Sequence, residues 1–259
     1  MKGLPWLNTS NPCLMKIDLS NNSVLITGST GGIGKALCRS FAKANAKVIL
    51  HFNKQKDTAK NLINSLPGDS HSLIQADLSN SNEIKDMVDS ISDLDIVINN
   101  AAIVEQIDIN EMSYNDWLHY WRKTLDVNLL GPADLTFLCA NKMKMNGGGK
   151  FINISSRGAF RGEPKAPAYG SSKSALNSFG QSMALALAKD NIFFYTIAPG
   201  FVETDRVKDI INDEIRAQSP LNRVAKPEEV AQTALWLASS GNDFLTGSII
   251  DVNGASYFR

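Results

Sequence analysis

Cysteine and histidine are both scarce in this sequence, and neither is spaced as metal ligands usually are. The 259 residues include three cysteines and three histidines, all far apart along the chain. An odd number of widely separated cysteines favours free thiols in a reducing compartment over a disulfide framework. No cluster of His, Cys and Asp has the spacing of a zinc site. We therefore expect no metal centre, and we predict a cytoplasmic location.

An excess of charge and long apolar runs are lacking as well. Lys and Arg total 26, as do Asp and Glu, so the formal net charge is zero at pH 7. Without a basic stripe, binding to nucleic acid is not expected. Residues 1–20 hold no long apolar run, so neither a signal peptide nor a membrane anchor is predicted. We interpret them as an extension ahead of a single domain at 21–259. The extension either contacts a neighbouring subunit or is partly disordered.

A glycine-rich segment follows the first apolar run. Residues 24–26 are apolar, residues 27–34 read TGSTGGIG, and a helical pattern comes next. This unit predicts a strand, a glycine loop and a helix. Gly28 would allow a tight turn, Gly32 a close backbone approach to a ligand, and Gly34 close packing of the helix on the strand. The N–H groups at the start of such a helix face a pyrophosphate in dinucleotide-binding folds. An ordinary strand–helix turn is the alternative.

The second predicted strand, residues 47–52, ends without the acidic residue that selects NAD. An Asp or Glu at this place binds the ribose 2′-hydroxyl, but here no acid occurs until Asp57. Asn53, Lys54 and the nearby His51 could instead bind a 2′-phosphate. The alternative for Lys54 is a solvated residue at a helix start. The sequence therefore favours NADP as the cofactor and leaves NAD open.

Strand and helix patterns alternate along the rest of the chain. Further strands are predicted at residues 72–76, 95–98, 150–154, 192–197 and 247–252. This alternation indicates right-handed βαβ units and a parallel sheet. We predict an α/β single-domain Rossmann fold, with a doubly wound parallel β-sheet flanked by helices. Its ligand crevice should lie at the carboxyl ends of the strands.

Three further predictions concern the connections. Ser79 or Ser81 is expected to cap the third helix. The helical pattern over residues 113–145 is predicted to be interrupted near residues 131–132. The polar stretch at residues 202–222 has weak periodicity, and we interpret it as a mobile lid.

Tyr169 and Lys173 lie four residues apart in a segment with a helical pattern. Residues at this spacing share one face of a helix. An ammonium beside a phenol favours the phenolate and lowers the tyrosine pKa from its usual value of about 10. Tyr169 is therefore a candidate general acid or base. Such a pair also arises by chance, so its weight depends on the surrounding motifs.

Taken together and in this order, the motifs resemble those of the short-chain dehydrogenase/reductase family over nearly the whole chain. Residues 27–34 match the Thr-Gly-x-x-x-Gly-x-Gly cofactor loop of the family, and Tyr169 and Lys173 match its Tyr-x-x-x-Lys pair. Ser156 lies 13 residues before Tyr169, where the family has its catalytic serine. Asn128 falls at the place of the fourth catalytic residue.

The resemblance also implies which residues hold the cofactor. They are Gly28, Ser29, Thr30, Gly32, Ile33, Gly34, Asn53, Lys54, Asp77, Leu78, Asn100, Ala101, Tyr169, Lys173, Pro199, Gly200, Val202 and Thr204. Two segments depart from the family pattern: Ala102 replaces a glycine after the fourth strand, and residues 252–255 replace an Asp-Gly-Gly motif. Neither departure involves a predicted proton-transfer residue.

The implied activity is an NAD(P)-dependent oxidoreductase that interconverts a carbonyl and a secondary alcohol by hydride transfer. By this resemblance, Tyr169 transfers the proton, Ser156 donates a hydrogen bond to the same substrate oxygen, and Lys173 lowers the tyrosine pKa and binds the nicotinamide ribose. Asn128 would hold a water of the proton relay. Two alternatives remain: a catalytically silent dinucleotide sensor or scaffold of the same fold, and an epimerase or dehydratase that keeps its cofactor bound.

The substrate and the assembly are the least determined features. Ser156, Arg157, Arg161, Tyr169 and Phe201 are candidate substrate contacts, and the two arginines favour an anionic substrate unless they are solvated surface residues. A 3-oxoacyl thioester, a sugar, a steroid-like ketone or another small ketone all remain possible. A homotetramer or homodimer is implied by the resemblance, with internal packing of the same helices as the alternative.

Overall fold

The computed structural model describes residues 17–259, so most of the predicted extension at residues 1–20 lies outside the described residues. The strands are β1 (Ser23–Ile26), β2 (Lys47–Phe52), β3 (Ser72–Gln75), β4 (Ile96–Asn99), β5 (Gly149–Ile154), β6 (Ile192–Pro199) and β7 (Ile249–Val252). The α-helices are α1 (Gly32–Lys43), α2 (Lys56–Asn64), α3 (Ser81–Ser90), α4 (Tyr114–Leu125), α5 (Gly131–Met145), α6 (Pro167–Leu187), α7 (Asp213–Ala217) and α8 (Pro227–Ala238). Shorter 3-10 turns occur at Arg157–Ala159, Ala188–Asp190, Lys208–Ile210 and Asp243–Leu245.

The strands form one seven-stranded sheet in the order β3-β2-β1-β4-β5-β6-β7. Every neighbouring pair is parallel. The chain reverses its direction of travel across the sheet between β1 and β4, and this switch point opens a crevice at the carboxyl ends of the strands. The predicted α/β fold with a doubly wound parallel sheet is thus confirmed.

The sheet is buried on both faces. Leu37 of α1 and Val230 of α8 belong to the core on one face, whereas Ile84 of α3 and Leu135 of α5 belong to the core on the other. The central strands β1 and β4 are buried along their whole length. Both faces are covered, so these strands are nearly continuous apolar runs, as parallel strands usually are. Among residues 17–259, no helix has the length and apolar character needed to span a bilayer.

The cap of α3 differs from the prediction by one residue. Asn80 caps the helix, and its Oδ1 accepts hydrogen bonds from the backbone N–H groups of Asn82 at 3.1 Å and Glu83 at 3.4 Å. Ser79 instead donates its backbone N–H and its hydroxyl to the Asp77 carboxylate. The prediction of Ser79 or Ser81 was therefore wrong, because asparagine is an equally good N-cap residue.

The interruption in the long helical region precedes the predicted Gly131-Pro132. It is a π-helical turn, Asp126–Leu130, that joins α4 to α5. Gly131 and Pro132 instead begin α5 directly after the π-helical turn. Proline has no N–H to donate and is tolerated near the first position of a helix. A Cβ on Gly131 would lie 2.3 Å from the Leu78 carbonyl oxygen, so only glycine fits this contact.

Candidate active site

The glycine loop between β1 and α1 has the conformation that its sequence predicts. Gly28 has a positive φ of 63°, and a Cβ there would lie 2.8 Å from the Cα of Ala101. A Cβ on Gly34 would lie 2.2 Å from the Gly28 carbonyl oxygen. The predicted tight turn and the close helix packing are therefore confirmed. Gly31 caps α1 without a side-chain hydrogen bond, and no acidic residue occupies the first turn of this helix. No side chain therefore caps the backbone N–H groups of that turn.

His51 of β2 lies behind this loop and cannot contact a ligand. It is buried, its Nδ1 accepts a hydrogen bond from the Gly28 N–H at 3.1 Å, and its Nε2 donates to the Ala76 carbonyl at 3.0 Å. Burial lowers the pKa of His51 to about 4, so the ring is neutral at neutral pH. The prediction that His51 helps to bind a 2′-phosphate was wrong. Its ring fastens the glycine loop to the end of β3.

Asn53, Lys54 and Asp77 meet at the carboxyl ends of β2 and β3. Asn53 and Lys54 are exposed, and the Asn53 carbonyl accepts a hydrogen bond from the Gln75 amide at 2.7 Å. Hydrogen bonds from Ser79, and then from the Asn53 side chain and the charge of Lys54, lower the pKa of Asp77. These three polar groups form a solvent-accessible cluster in which Lys54 supplies a positive charge.

Asn100 and Thr27 tie β4 to the glycine loop. The Asn100 amide donates to the carbonyls of Thr27 at 2.8 Å and Gly28 at 3.1 Å. The Thr27 hydroxyl accepts from the backbone N–H groups of Asn100 at 2.9 Å and Ala101 at 3.0 Å. The side chain of Asn100 thus fixes the shape of the loop rather than facing outward.

The remaining predicted cofactor residues lie at the same edge of the sheet. Ser29, Thr30 and Ile33 follow β1, Leu78 follows β3, Pro199 ends β6, and Gly200, Val202 and Thr204 come directly after it. The structure therefore gathers the segments that follow β1, β3 and β6 at one end of the fold, together with those that follow β2 and β4.

Lys173 projects from α6 into the interior beside Tyr169. It is almost fully buried, its Nζ donates to the Ile154 carbonyl at 2.8 Å, and the same atom lies 5.8 Å from the centre of the Tyr169 ring. The predicted helix and its shared face are confirmed. Burial, assisted by the charge of Arg206, lowers the pKa of Lys173 to about 8.

The pKa of Tyr169 is raised, which contradicts the prediction that Lys173 lowers it. Burial raises this pKa more than a hydrogen bond from Ser156 and the charge of Arg206 lower it, and the charge of Glu163 raises it further. The expectation failed because the Lys173 ammonium is directed at the Ile154 carbonyl and is itself destabilised by burial. The phenol therefore stays protonated at neutral pH.

Ser156 is positioned by the turn that follows β5. Its Oγ accepts a hydrogen bond from the Gly158 N–H at 3.0 Å, and its hydroxyl is hydrogen-bonded to the Tyr169 side chain. This hydrogen bond lowers the pKa of Tyr169, although burial raises it more. The structure thus brings together Ser156, Tyr169 and Lys173 from two separate elements, as the motifs predict.

Asn128 stands in the π-helical turn and is fully buried. Its Oδ1 accepts from the Ile103 N–H at 2.8 Å, and its Nδ2 donates to the Ile103 carbonyl at 2.9 Å and to the Ser172 hydroxyl at 3.2 Å. Ser172 in turn donates to the Tyr169 carbonyl at 2.7 Å. Asn128 therefore links the loop after β4 to the helix of Tyr169. Its predicted role in holding a water stays a prediction.

Arg157 is not available as a substrate contact. It is buried, its guanidinium donates to the Ser256 hydroxyl at 2.7 Å and to the Gln218 side chain, and its Cζ lies 4.9 Å from the centre of the Phe201 ring. The hypothesis of a substrate-facing Arg157 was wrong, because Gln218 after α7 and Ser256 near the C-terminus accept its hydrogen bonds. Phe201 forms one face of this stack.

Arg161 is exposed, and its Nε lies 3.6 Å from a carboxylate oxygen of Glu163. Arg206, which sequence analysis missed, instead places its positive charge close enough to Tyr169 and Lys173 to lower both pKa values. Its position two residues after Thr204, in a segment already predicted to cover the cleft, was the signal that could have identified it.

Known proteins match the chain along nearly its whole length. The model of a family described as enoyl-(acyl carrier protein) reductase matches residues 28–255. A 3-oxoacyl-(acyl-carrier-protein) reductase of Aquifex aeolicus is 34% identical over 255 residues, covering 94% of this chain and 100% of the relative. A 3alpha-hydroxysteroid dehydrogenase of Mediterraneibacter gnavus is 32% identical over 248 residues, covering 92% of this chain and 98% of the relative.

A solved structure from Beutenbergia cavernae has the same fold. It is described as an NAD(P)-dependent gluconate 5-dehydrogenase with bound NADP at low occupancy. Its TM-score is 0.83 at 27% sequence identity, covering 93% of this chain and 98% of that one. These relatives carry the names of different substrates, so the similarity identifies a class of chemistry and no single substrate.

Proposed function

Because the chain belongs to the short-chain dehydrogenase/reductase family of oxidoreductases, we propose that it interconverts a carbonyl and a secondary alcohol with NAD(P). The convergence of Ser156, Tyr169 and Lys173 beside the glycine loop carries this proposal. The three residue types are those that a proton transfer coupled to hydride transfer requires.

The residues around the glycine loop fit a dinucleotide. The first turn of α1 offers N–H donors without a side-chain cap, which suits a pyrophosphate. When bound, the nicotinamide would supply or accept the hydride. We propose the predicted cofactor residues as the binding set, with Lys173 holding the nicotinamide ribose. Asn100 contributes by shaping the loop.

NADP is the proposed cofactor, with NAD as the alternative. Lys54 and Asn53 offer a positive charge and an amide donor at the end of β2, where an acidic residue would favour NAD. The Beutenbergia cavernae structure, which contains NADP, supports this choice. Comparing the dissociation constants of NADPH and NADH tests it, and Lys54→Gln should weaken binding of NADPH alone.

In the reduction direction, Tyr169 donates its phenolic proton to the substrate oxygen. A raised pKa suits this role because the phenol is protonated when the reaction begins. Ser156 donates a hydrogen bond to the same oxygen, where negative charge develops in the transition state. Lys173 supplies a positive charge beside the phenol as the proton leaves. Asn128 positions α6 through Ser172, and its proposed water would return a proton to Lys173.

The proposed function is tested by adding a panel of ketones to the protein and NADPH. The loss of near-ultraviolet absorbance then measures how fast NADPH is oxidised. Turnover that requires Tyr169 supports it. Tight binding of NADPH without turnover of any ketone would instead identify a dinucleotide sensor.

We also propose that the protein assembles as a homotetramer or homodimer in the cytoplasm. Leu130, Phe137 and Leu185 are more than half exposed in the region of α5 and α6. An apolar surface of this kind favours contact with another subunit. Cys38 and Cys139 are buried free thiols, which is compatible with a reducing compartment. Light scattering that gave the mass of a single chain would contradict the assembly.

A further inference from the structure

Among the described residues, Arg206 is a cation without a carboxylate partner. The salt bridges formed by residues 17–259 leave it out. Its Nη1 donates to the Ala102 carbonyl at 3.5 Å, which is a long hydrogen bond. The rest of the guanidinium fork is therefore available to a ligand.

The residues before Arg206 hold it at the mouth of the cleft. Thr204 packs so closely on the glycine loop that a Cβ on Gly32 would lie 2.5 Å from its Cγ2. Asp205 pairs with Lys35 of α1 at 3.8 Å. The Thr204 carbonyl also accepts from the Val207 N–H at 3.0 Å, which closes a turn around Arg206. Arg206 is thus held between the glycine loop, which its neighbour Thr204 contacts, and the segment after β4, which its own guanidinium contacts.

The position of Arg206 is electrostatically unfavourable in the protein alone. Its charge lowers the pKa of Lys173, whose ammonium is already destabilised by burial. Glu163 is the acidic group whose charge reaches Tyr169, but Arg161 lies 3.6 Å from its carboxylate. The charges of Lys173 and Arg206 therefore both act on the phenol, and neither residue forms a salt bridge among residues 17–259. An anion bound in the cleft would relieve this repulsion.

We propose that Arg206 binds an anionic group of the substrate, so that the enzyme prefers oxo acids and hydroxy acids over neutral ketones and alcohols. This inference rests on the proposed function. A carboxylate or phosphate would accept two hydrogen bonds from the guanidinium fork, while the carbonyl oxygen of the same molecule contacts Ser156 and Tyr169. A phosphate of the cofactor is the other source of such an anion. The substrate is favoured because the Arg206 guanidinium reaches the Ala102 carbonyl after β4, whereas Thr204 is the residue that lies on the glycine loop. The charge of Arg206 also acts at the phenol.

Paired substrates that differ only in charge test this inference. Pyruvate and acetoacetate would each be compared with its methyl ester in the wild type, Arg206→Gln and Arg206→Lys. The matched control is Lys208→Gln, an exposed cation of the same segment. We expect kcat/KM for the preferred acid to fall at least about tenfold in Arg206→Gln. In the same variant, kcat/KM for the ester and the KM for NADPH should stay within about twofold of the wild-type values. Arg206→Lys should be intermediate because lysine lacks the planar fork.

Several results would overturn the inference. One is an equal fall of kcat/KM for acid and ester in Arg206→Gln. A second is a change in that variant confined to a higher KM for NADPH. The others are an unchanged kcat/KM in Arg206→Gln and a wild type that prefers neither acid to its ester. The second of these would identify a cofactor phosphate as the anion. Calorimetric binding of both acids to the protein loaded with NADP⁺ adds a readout that needs no turnover, and the absence of binding also overturns the inference. A wild type that reduces the esters but discriminates against the acids leaves the proposed function intact. A protein that reduces no ketone contradicts the proposed function itself.

Discussion

The imidazole Nδ1 of His51 accepts a hydrogen bond from the backbone N–H of Gly28 at 3.1 Å. A side chain on β2 thereby fixes the first turn of the loop that is proposed to hold the cofactor phosphates. The same ring reaches the Ala76 carbonyl through Nε2. The two hydrogen bonds can be separated by mutation because they use different ring atoms.

His51→Asn and His51→Gln should therefore differ in cofactor affinity. The Asn amide can replace the acceptor near Gly28, whereas the longer Gln amide can replace the donor to Ala76. Each variant loses a buried hydrogen bond at a cost of about 1–3 kcal/mol of stability. We expect His51→Gln to raise the Kd of NADPH about tenfold and His51→Asn to raise it much less. Titration of protein fluorescence with NADPH, alongside urea unfolding, separates affinity from stability. Equal Kd values in both variants would contradict the role of His51 in the loop.

The stability of the protein should fall in mild acid because of the same histidine. The folded-state pKa of His51 is about 4, against about 6.5 for an unperturbed histidine, so the unfolded chain binds more protons between these values. The contribution is fully present above pH ~6.5 and is lost as the pH falls toward about 4. It is on the order of 3 kcal/mol. Urea unfolding across this pH range measures it, and His51→Asn should remove much of the pH dependence. An unchanged slope in that variant would exclude His51 as its origin.

Tyr169→Phe should abolish most turnover and preserve cofactor binding. The substitution keeps the ring and removes only the hydroxyl that transfers the proton. We expect kcat to fall by at least about 10²-fold with little change in the Kd of NADPH. Tyr114→Phe is the matched control, because Tyr114 is the first residue of α4 and its side chain is 74% exposed. Turnover close to that of the wild type in Tyr169→Phe would remove the assignment.

The rate of reduction should decline as the pH rises through about 8. The pKa of Lys173 is about 8, so its ammonium is lost in this range, while the raised pKa of Tyr169 keeps the phenol protonated. A plot of kcat/KM against pH reports the ionisations of the free enzyme. Lys173→Gln should lower the rate and remove this alkaline limb. A limb that persists in the residual activity of the variant would have to belong to another group.

Gly32→Ala should weaken cofactor binding through contact with Thr204. The new Cβ would lie 2.5 Å from the Thr204 Cγ2 and 2.7 Å from its Cβ, so the segment that covers the loop must shift. At Gly31, by contrast, a new Cβ would meet only the Gly28 carbonyl oxygen, at an ordinary 3.5 Å. We expect the Kd of NADPH to rise about tenfold in Gly32→Ala, equivalent to about 1.4 kcal/mol, and to change little in Gly31→Ala. Comparable affinities would show that the segment moves at no cost.

Local patterns account for the parts of the molecule that sequence analysis predicted. The apolar run of β1 and the glycines after it encode a strand and a turn without reference to distant residues. Tyr169 and Lys173 share a face because four residues separate them on one helix. The failures concern side chains whose environment is set by distant segments. Arg157 finds its partners 61 and 99 residues away, and no local pattern around it predicts burial.

His51 and Tyr169 illustrate the same limit for ionisation. The sequence places His51 at a strand end, but its burial depends on the glycine loop and β3 closing over it. The pKa of Tyr169 depends on how much water the folded protein excludes from the phenol, and desolvation outweighs the neighbouring charges. The burial of His51 and the pKa of Tyr169 both depend on the assembled fold, so the spacing of residues along the chain does not predict them.

The π-helical turn Asp126–Leu130 makes the length of this stretch as important as its chemistry. The Gly131 N–H bonds to the Asp126 carbonyl, one residue farther back than in an α-helix. Deleting a single residue here would close the wide turn into ordinary α-helix, and the remaining residues of the turn would move to other sides of the helix. The amide of Asn128 would then point away from Ile103. Insertions and deletions in these five residues should consequently be far more damaging than exchanges of one side chain for another.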